Sequence, residues 1–294
     1  MGDQSADAIQ TVLVCGAGLM GHGIAQVCAA AGRHVFLYEP ERSRAEAGIE
    51  RITGNLDRAV TKGRLSAEDR AAQLGRINVA DSLGAAAAQA DIVIEAVFED
   101  EAVKRELFGE LESRVKGDAI FATNTSSISI TRLAGALAPE RRASFIGMHF
   151  FSPVPVMPLV EMVRGLETSD DTAATIRAFA GALGKEVITA KDRPGFIVNR
   201  VLMPFLGEAM RAYEEGLSSA EEIDTGVRLG LRHPMGPLEL ADFIGLDVCL
   251  EVMEVLHEGF GDPRFAAPPV LRQLVAAGHL GQKAGRGFYT YPRD

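Results

Sequence analysis

The sequence contains little cysteine, and its three cysteines are scattered along 294 residues. Cys15, Cys28 and Cys249 each lie within an apolar stretch, and their odd number and wide spacing suit neither a disulfide framework nor a zinc site. We therefore expect reduced, buried thiols and no bound metal ion. Reduced thiols are typical of cytoplasmic proteins, and the sequence predicts that location.

An excess of basic residues and long apolar runs are lacking too. Lysine and arginine total 30 against 40 aspartate and glutamate residues, a formal net charge of -10. Because a nucleic-acid-binding surface needs a concentrated basic patch, we predict no nucleic-acid partner. No apolar run approaches the length of a membrane span, and the opening residues MGDQSADAIQ lack the basic and apolar regions of a secretory signal. We therefore predict no membrane association.

Short β-type apolar runs alternate with helical patterns over the first ~190 residues. The candidate strands cover residues 11–15, 34–38, 77–80, 91–95, 119–122, 145–149 and 186–190. Helical patterns, such as those over 42–62 and 100–115, separate most of these strands. Strands separated by helices indicate βαβ units. The sequence therefore predicts an α/β fold with a doubly wound, mostly parallel Rossmann-type sheet.

The pattern changes after the segment KDRPGFIVNR, residues 191–200. Asp192 and Pro194 are expected to open a long helix, because proline is favoured at the first helical position. Beyond this segment the periodicity indicates helices only. We therefore predict a domain boundary near this point, with an α/β domain over residues 1–190 and an all-α domain over residues 191–294.

Three further helices are predicted in the second domain. One begins near Ser219, where Glu222 three residues later completes a capping-box pattern. The others cover residues 237–260 and 269–277. A small helical domain with apolar faces often needs a second copy to cover them, so we predict a homodimer formed through this domain.

A glycine-rich loop follows the first predicted strand. Gly16, Gly18 and Gly21 have the G-x-G-x-x-G spacing, and a helical pattern begins at the third glycine. The first glycine permits the tight turn, the second allows backbone N–H groups to approach a pyrophosphate, and the third allows close packing of helix on strand. A structural glycine turn is the alternative, but the strand–loop–helix context favours a dinucleotide site. The predicted contacts in the loop are Gly16, Gly18, Leu19, Met20 and Gly21.

An acidic residue ends the second predicted strand. Glu39 lies close to where a carboxylate would bind the ribose hydroxyls of the cofactor. A carboxylate there repels a 2′-phosphate, so NAD is favoured over NADP. Arg42 and Arg44 nearby leave NADP open as the alternative.

The segment MHFFSPVPVMPLVE places His149 and Glu161 at the two ends of an apolar, proline-rich stretch. A strand, a proline-rich connection and a second strand would bring the two side chains face to face. Such a pair is either a core histidine tied to a charge or an acid–base pair in a dry pocket, and this segment alone leaves both open.

Several separate segments, in order and at similar spacings, resemble one family. They are GAGLMGHGIAQ, EAVFEDEAVKRELF, TNTSSISI, GMHFFSPVPVMPLVE, RPGFIVNR, HPMGPLELAD and GRGFYTY. Together these segments, which span essentially the whole chain, resemble the 3-hydroxyacyl-CoA dehydrogenases of the short-chain, 3-hydroxybutyryl-CoA type. The resemblance implies a doubly wound NAD domain followed by a helical dimerisation domain. It also implies reversible NAD-dependent oxidation of a (3S)-3-hydroxyacyl-CoA to the 3-ketoacyl-CoA.

The resemblance further implies four catalytic residues. His149 matches the catalytic base and Glu161 its partner, while Ser126 and Asn199 match residues that contact the reacting substrate. A neutral imidazole suits the removal of a hydroxyl proton, and a carboxylate on its other nitrogen fixes the tautomer and stabilises the imidazolium. Taken singly, Ser126 would be a turn residue and Asn199 a polar helix residue. The joint pattern favours the catalytic interpretation.

Binding residues are implied in the same way. Glu99, Lys104 and Lys283 match residues that contact the cofactor, as Ser126 does as well. Asn55 and Lys62 match positions that hold the CoA.

A basic stripe gives an independent indication of a CoA contact. Arg44, Arg51 and Arg58 recur every seven residues, on the same helical stripe as Asn55 and Lys62. On an acidic protein, such a stripe would suit a polyanionic ligand. The alternative is a solvated helix face, because acidic residues are interleaved with the basic ones.

The sequence departs from the family at a few positions. Ser152 stands where the family often has asparagine, Pro158 where it has lysine, and Glu39 where it usually has aspartate. His22 replaces a small residue of the glycine loop. Ser152 and Pro158 leave the acyl preference open.

Three rival interpretations follow. The first is a related dehydrogenase that acts on an acyl-carrier protein or a sugar acid. The second is a β-hydroxyacid dehydrogenase, which uses a catalytic lysine four residues before an asparagine; Gly195 occupies that position before Asn199, which disfavours it. The third is a non-enzymatic NAD-binding protein of the crystallin kind, which the intact set of four catalytic residues disfavours.

Overall fold

A computed structural model describes residues 8–292 of the chain. Most of the opening segment MGDQSADAIQ, from which we predicted no secretory signal, therefore lies outside the described residues, as do the last two residues. The chain divides into two compact units after Arg193, three residues beyond the boundary predicted at 190.

The first unit is built on one eight-stranded sheet. Its strands are β1 (Thr11–Cys15), β2 (His34–Tyr38), β3 (Ile77–Val79), β4 (Ile92–Glu95), β5 (Ile120–Thr123), β6 (Phe145–Phe150), β7 (Leu159–Arg164) and β8 (Glu186–Lys191). The spatial order is β3-β2-β1-β4-β5-β6-β7-β8, and every neighbouring pair is parallel except β6 and β7. The predicted α/β fold with a mostly parallel Rossmann-type sheet is confirmed.

Helices and other core side chains cover both faces of the central strands, so these strands are buried on both sides. Every residue of β4, β5 and β6 is buried. The first unit contains helices α1 (Gly21–Ala30), α2 (Arg42–Thr61), α3 (Ala67–Leu74), α4 (Leu83–Ala87), α5 (Glu101–Glu112), α6 (Ile130–Ala134) and α7 (Asp170–Ala182). Continuous apolar strands between amphipathic helices are the expected sequence pattern of such a layered sheet.

The second unit contains helices α8 (Val198–Glu214), α9 (Ala220–Gly230), α10 (Pro237–Ile244), α11 (Leu246–Phe260) and α12 (Pro269–Ala276). They enclose a separate apolar core that includes Met210, Leu238 and Leu256. Short 3₁₀ turns at Pro263–Phe265 and Gln282–Ala284 complete the unit, and no α-helix or strand longer than an isolated bridge follows α12 within the described residues.

Two helix predictions are wrong. The helix predicted to open at Asp192 begins at Val198, because Gly195 and Phe196 have φ angles of +71° and +47° that interrupt the backbone. Asp192 instead caps α6, accepting hydrogen bonds from the Ser129 hydroxyl and from the backbone N–H groups of Ile130 and Thr131.

The predicted helix over residues 237–260 is two helices. Gly245, with φ of +106°, separates α10 from α11. At the start of α9 the Ser219 hydroxyl accepts from the Glu222 N–H, as predicted, but the Glu222 carboxylate accepts from the Ser218 hydroxyl. Among the described residues, no helix is both long enough and apolar enough to cross a membrane.

Candidate active site

Most of the predicted site residues of the first unit lie at one edge of its sheet. The parallel strands β1, β2, β4 and β5 end at this edge, and the glycine loop, Glu39, Glu99 and Ser126 follow them directly. β6 is parallel to β5 and ends at the same edge with His149. Ligands of open α/β sheets bind at the carboxyl ends of the strands, so the fold presents these side chains where a ligand would lie.

The glycine loop has no room for side chains at two of its positions. Gly16 has φ of +104°, and a Cβ there would lie 2.3 Å from the carbonyl oxygen of Ala96. A Cβ on Gly21 would lie 1.8 Å from the carbonyl oxygen of Gly16, so α1 begins in direct backbone contact with the turn. A Cβ on Gly18 would meet nothing within 4 Å, so this glycine faces open space. These residues fit a dinucleotide whose pyrophosphate approaches the backbone at Gly18.

Glu39 lies beside this loop. Its Oε2 accepts a hydrogen bond of 2.8 Å from the backbone N–H of Ala17, which fixes the carboxylate at the end of β2. Of the other loop residues, Leu19 is 70% exposed and Met20 packs on the core. His22 is buried, with its Nδ1 2.7 Å from the carbonyl oxygen of Gly18.

His149 and Glu161 face each other across the antiparallel pair β6–β7. They are direct partners in the strand register, and Nδ1 of His149 lies 2.7 Å from Oε2 of Glu161. Glu161 is 0% exposed and His149 7% exposed, and the Phe151 ring centroid lies 4.6 Å from that of the imidazole. The arrangement is that of a buried imidazole whose Nδ1 is oriented by a carboxylate.

A buried charge network lies at the same edge, between β4 and β5. Lys104, on α5, is 1% exposed, and its ammonium contacts Glu95 at 2.6 Å and Glu99 at 3.1 Å. Glu95 also accepts hydrogen bonds from the Thr123 hydroxyl and from the Val97 N–H. Because Lys104 is enclosed by two carboxylates, its ammonium fixes the position of Glu99.

Glu99 in turn organises the turn that carries Ser126. One of its oxygens accepts hydrogen bonds from the Thr125 hydroxyl, from the backbone N–H and hydroxyl of Ser126, and from the backbone N–H and hydroxyl of Ser127. The structure therefore brings together three of the predicted residues, Glu99, Lys104 and Ser126. Ser126 is held at the end of β5 through Glu99.

The two carboxyl groups of this network differ in pKa. Burial raises the pKa of Glu95 above its ordinary value, although the charge and hydrogen bond of Lys104 favour the ionised form. Burial also opposes ionisation of Glu99, but the Lys104 charge and the hydrogen bonds from Thr125 and Ser126 outweigh it, so the pKa of Glu99 lies below its ordinary value.

A cleft of about 580 Å³ lies between α1 and α2. Arg51, Asn55 and Arg58 of the predicted basic stripe line it, together with His22 and Leu19 of the glycine loop region. The Asn55 amide donates to Gln26 of α1 at 3.0 Å. Of the other stripe residues, Lys62 is exposed just after the last residue of α2, and Arg44 pairs with Glu41. The cleft supplies cationic and amide groups, and the carboxylate of Glu50, beside the glycine loop.

Two predicted site residues belong to the helical unit. Asn199 is half-buried in the first turn of α8. Lys283 pairs with Asp247 at 2.6 Å in the 3₁₀ turn after α12. The C-terminal segment that follows Lys283 is anchored by Asp242, which accepts from the backbone N–H groups of Phe288 and Tyr289.

Two functional candidates of the first unit are missing from the sequence predictions. Glu95 is the last residue of a predicted strand, and the sequence signal for it is a carboxylate directly after three apolar residues and nine positions before Lys104. Lys185 has no sequence signal, because a lysine shortly after a helix is an ordinary surface pattern. Among residues 8–292, no group of three histidine, cysteine, aspartate or glutamate side chains is placed to hold a metal ion.

Comparison with known proteins agrees with this geometry. Residues 11–193 match the NAD binding domain of 3-hydroxyacyl-CoA dehydrogenase, and residues 195–291 match the C-terminal domain of the same enzymes. The chain belongs to the 3-hydroxyacyl-CoA dehydrogenase family. The prediction of an NAD-linked oxidoreductase of this family is thereby confirmed.

Similar proteins cover almost the whole length of the chain. The 3-hydroxybutyryl-CoA dehydrogenase of Bradyrhizobium diazoefficiens is 49% identical over 287 residues, which are 97% of this chain and 97% of that protein. The crystal structure of (S)-3-hydroxybutyryl-CoA dehydrogenase PaaH1 from Ralstonia eutropha has a TM-score of 0.94 at 48% identity, with coverage of 97% of this chain and 100% of that one. Mycobacterium tuberculosis FadB2 is equally similar in structure, with a TM-score of 0.94 at 46% identity and coverage of 97% and 100%.

Proposed function

We propose that this family member interconverts (3S)-3-hydroxybutyryl-CoA and acetoacetyl-CoA with NAD. The observation that carries the proposal is the buried His149–Glu161 pair at the sheet edge that also holds the glycine loop. Relatives over the full length of the chain that are 3-hydroxybutyryl-CoA dehydrogenases support the choice of substrate.

In the proposed mechanism His149 acts as the base. Its Nε2 removes the proton of the C3 hydroxyl, while the Nδ1–H donates to Glu161 at 2.7 Å. The carboxylate stabilises the imidazolium, which then returns the proton in the reductive direction. NAD, when bound, supplies the hydride acceptor. Proton transfer of this kind contributes typically ~10²–10⁴-fold in rate.

The walls of the pair exclude water. Phe151 packs against the imidazole, and the Glu161 side chain is fully buried. Ser126, held by Glu99, is proposed to hydrogen-bond the substrate and the cofactor. Asn199 and Lys283 are proposed, on the family resemblance alone, to contact the substrate and the cofactor respectively. Hydrogen bonds to developing charge are worth more in such a dry site than in water.

We propose NAD as the cofactor in preference to NADP. The Glu39 carboxylate, fixed by the Ala17 N–H, would lie beside the adenosine ribose and would repel a 2′-phosphate. Arg42 does not compensate, because its guanidinium pairs with Glu46 and Asp81.

The CoA is proposed to use the cleft between α1 and α2, with Asn55 at its wall and Lys62 beyond its end. A homodimer through the helical unit is proposed as well, because Val201, Leu229 and Leu231 are exposed apolar side chains of that unit that a second copy would cover. The three cysteines are buried and unbridged, which supports a reducing, cytoplasmic location.

The test is the loss of NADH absorbance with acetoacetyl-CoA, run in parallel with NADPH and with the acetoacetyl thioester of an acyl-carrier protein. We expect turnover with the CoA thioester and NADH. His149→Ala should bind NADH normally and lose at least about 10²-fold in kcat. Preferred turnover of the carrier-protein thioester would assign the chain to the rival substrate, and no turnover of either would refute the proposal.

A further inference from the structure

Lys185 is a buried lysine that lies outside the proposed catalytic set. It lies three residues after the last residue of α7, immediately before β8, and is 8% exposed. Its ammonium donates hydrogen bonds to two backbone carbonyls, those of Val154 at 2.6 Å and Met157 at 2.8 Å. Both carbonyls belong to the segment 151–158, the connection between β6 and β7.

The charge of Lys185 has no carboxylate to balance it. Within residues 8–292, no acidic side chain lies within salt-bridge distance of its ammonium, and the titratable group that influences its pKa is the buried thiol of Cys28. Burial lowers the pKa of Lys185 and raises the pKa of that thiol to about 12, so the thiol is neutral near pH 7. Burying a charge costs free energy. The buried ammonium of Lys185 therefore indicates that the position of the two carbonyl groups it binds is important.

The segment that Lys185 holds is the one that joins the two members of the catalytic pair. Glu186, the next residue, adds a third anchor, since its backbone N–H donates to the carbonyl of Pro158 at 2.7 Å. Within the segment, the N–H groups of Val156 and Met157 both donate to the carbonyl of Pro153. The carbonyl oxygens of residues 153, 154, 157 and 158 therefore all accept hydrogen bonds. Those of residues 154 and 157 accept from Lys185, and that of residue 158 accepts from Glu186, the first residue of β8.

The same segment packs on the dinucleotide helix. A Cβ added at Gly23, in the first turn of α1, would lie 2.9 Å from Cβ of Val154 and 3.4 Å from Cδ of Pro155. Val154 itself is buried in the core. The segment thus packs against the first turn of α1, and its two ends continue into β6 and β7.

We propose that Lys185 is a positioning residue for the oxidoreductase site. Its ammonium clamps the segment 151–158, and the clamped segment holds His149 in line with Glu161 and at a fixed distance from the first turn of α1. This inference rests on the proposed function for its catalytic consequence. The clamp itself can be measured without activity.

The experiment compares Lys185→Met, which keeps most of the apolar side chain and removes its donors, with Lys185→Arg, which keeps the positive charge and N–H donors. Lys191→Met is the matched control, because Lys191 is an exposed lysine of β8. Each full-length protein is assayed for kcat with acetoacetyl-CoA and for NADH affinity by fluorescence. Amide hydrogen exchange of residues 147–163 is followed by mass spectrometry.

For Lys185→Met we expect kcat to fall at least about tenfold, since a misplacement of about 1 Å can cost about 10²-fold. NADH affinity should change less than the rate does. Exchange should quicken in residues 147–163 and not in β1 or β4. Lys185→Arg should recover most of the rate, and Lys191→Met should match the parent protein.

Two results would overturn the proposal. One is a Lys185→Met protein that melts at a lower temperature but keeps its kcat within twofold, which would make Lys185 a stabilising residue only. The other is unchanged exchange in residues 147–163. If the parent protein itself fails to reduce acetoacetyl-CoA, the proposed function fails, and the exchange measurement alone decides whether Lys185 is a clamp. Lys185→Gln replaces Lys185→Met if the latter does not fold.

Discussion

The substitution Glu161→Gln tests the catalytic pair while changing almost no volume. Glu161 is 0% exposed and lies 2.7 Å from Nδ1 of His149, so the amide would occupy the same place without the charge. A hydrogen bond to a charged group is worth about 1.5–3 kcal/mol and a neutral one about 0.5–1.5 kcal/mol. The difference, about 1–2 kcal/mol, corresponds to a loss of roughly 5- to 30-fold in kcat.

The loss is larger if the amide turns its NH₂ group toward Nδ1. That nitrogen would then have to accept, the proton would move to Nε2, and the imidazole would no longer be a base. The equivalent aspartate-to-asparagine change in a serine protease triad costs about 10⁴-fold. We therefore expect a fall in kcat between about fivefold and about 10⁴-fold, with NADH affinity unchanged.

The assay is NADH oxidation with saturating acetoacetyl-CoA, together with NADH binding and a thermal melt. Glu167→Gln is the control, because Glu167 is an exposed glutamate just after β7. The kcat of Glu161→Asp should lie between those of Glu161→Gln and the parent enzyme, since aspartate keeps the charge but holds it farther from the imidazole. A Glu161→Gln enzyme with kcat within threefold of the parent would show that the carboxylate does not assist His149.

Three further predictions concern the cofactor edge of the sheet. Gly21→Ala should abolish NADH binding or folding, because its Cβ would lie 1.8 Å from the carbonyl oxygen of Gly16; binding titration and circular dichroism check this, and normal binding would contradict it. Lys104→Met should lower the free energy of unfolding by about 3–5 kcal/mol in a urea titration, because it leaves Glu95 buried without its cation; a loss below about 1 kcal/mol would contradict it. Glu99 has a pKa below the ordinary value of 4.5, so its ionised form stabilises the fold above that pH and the effect disappears as pH falls. The difference in unfolding free energy between the parent and Glu99→Gln should therefore be largest near pH 6 and shrink toward pH 4, and a difference that grows on acidification would contradict the sign.

Periodicity was sufficient for most of the sheet. Runs such as 11–15 and 34–38 match β1 and β2 residue for residue, because buried parallel strands are short, apolar and bounded by turn residues. The sequence predictions did not include the antiparallel direction of β7. Direction depends on which neighbour a strand pairs with, and that is a tertiary property.

The wrong helix predictions have one cause in common. Asp192 and Gly245 both lie in patterns that favour continued helix, and local propensity does not reveal what else competes for them. Asp192 caps α6, which begins more than 60 residues earlier in the chain, through a hydrogen bond from the Ile130 N–H. Gly245 takes a positive φ that few other residues adopt.

Motif and spacing predicted the local geometry at two places. The glycine loop and the facing of His149 with Glu161 come from adjacent or directly paired segments, whereas the catalytic role of the pair is implied by the family resemblance. The buried Glu95 and the lysine at position 185 were not predictable, because their partners come from strands and loops that only the fold brings together.

The placement of His149 opposite Glu161 also bears on how the hairpin of β6 and β7 finds its pairing. Side chains alternate between the two faces of a strand, so a slip by one residue would set His149 against Val160 or Met162 and send Glu161 to the wrong face. A buried carboxylate without its imidazole is costly, whereas the apolar neighbours would tolerate the slip. The two residues proposed to do the chemistry thus also penalise misfolded hairpins. Loss of either one should broaden the ensemble of strand registers as well as slow the reaction.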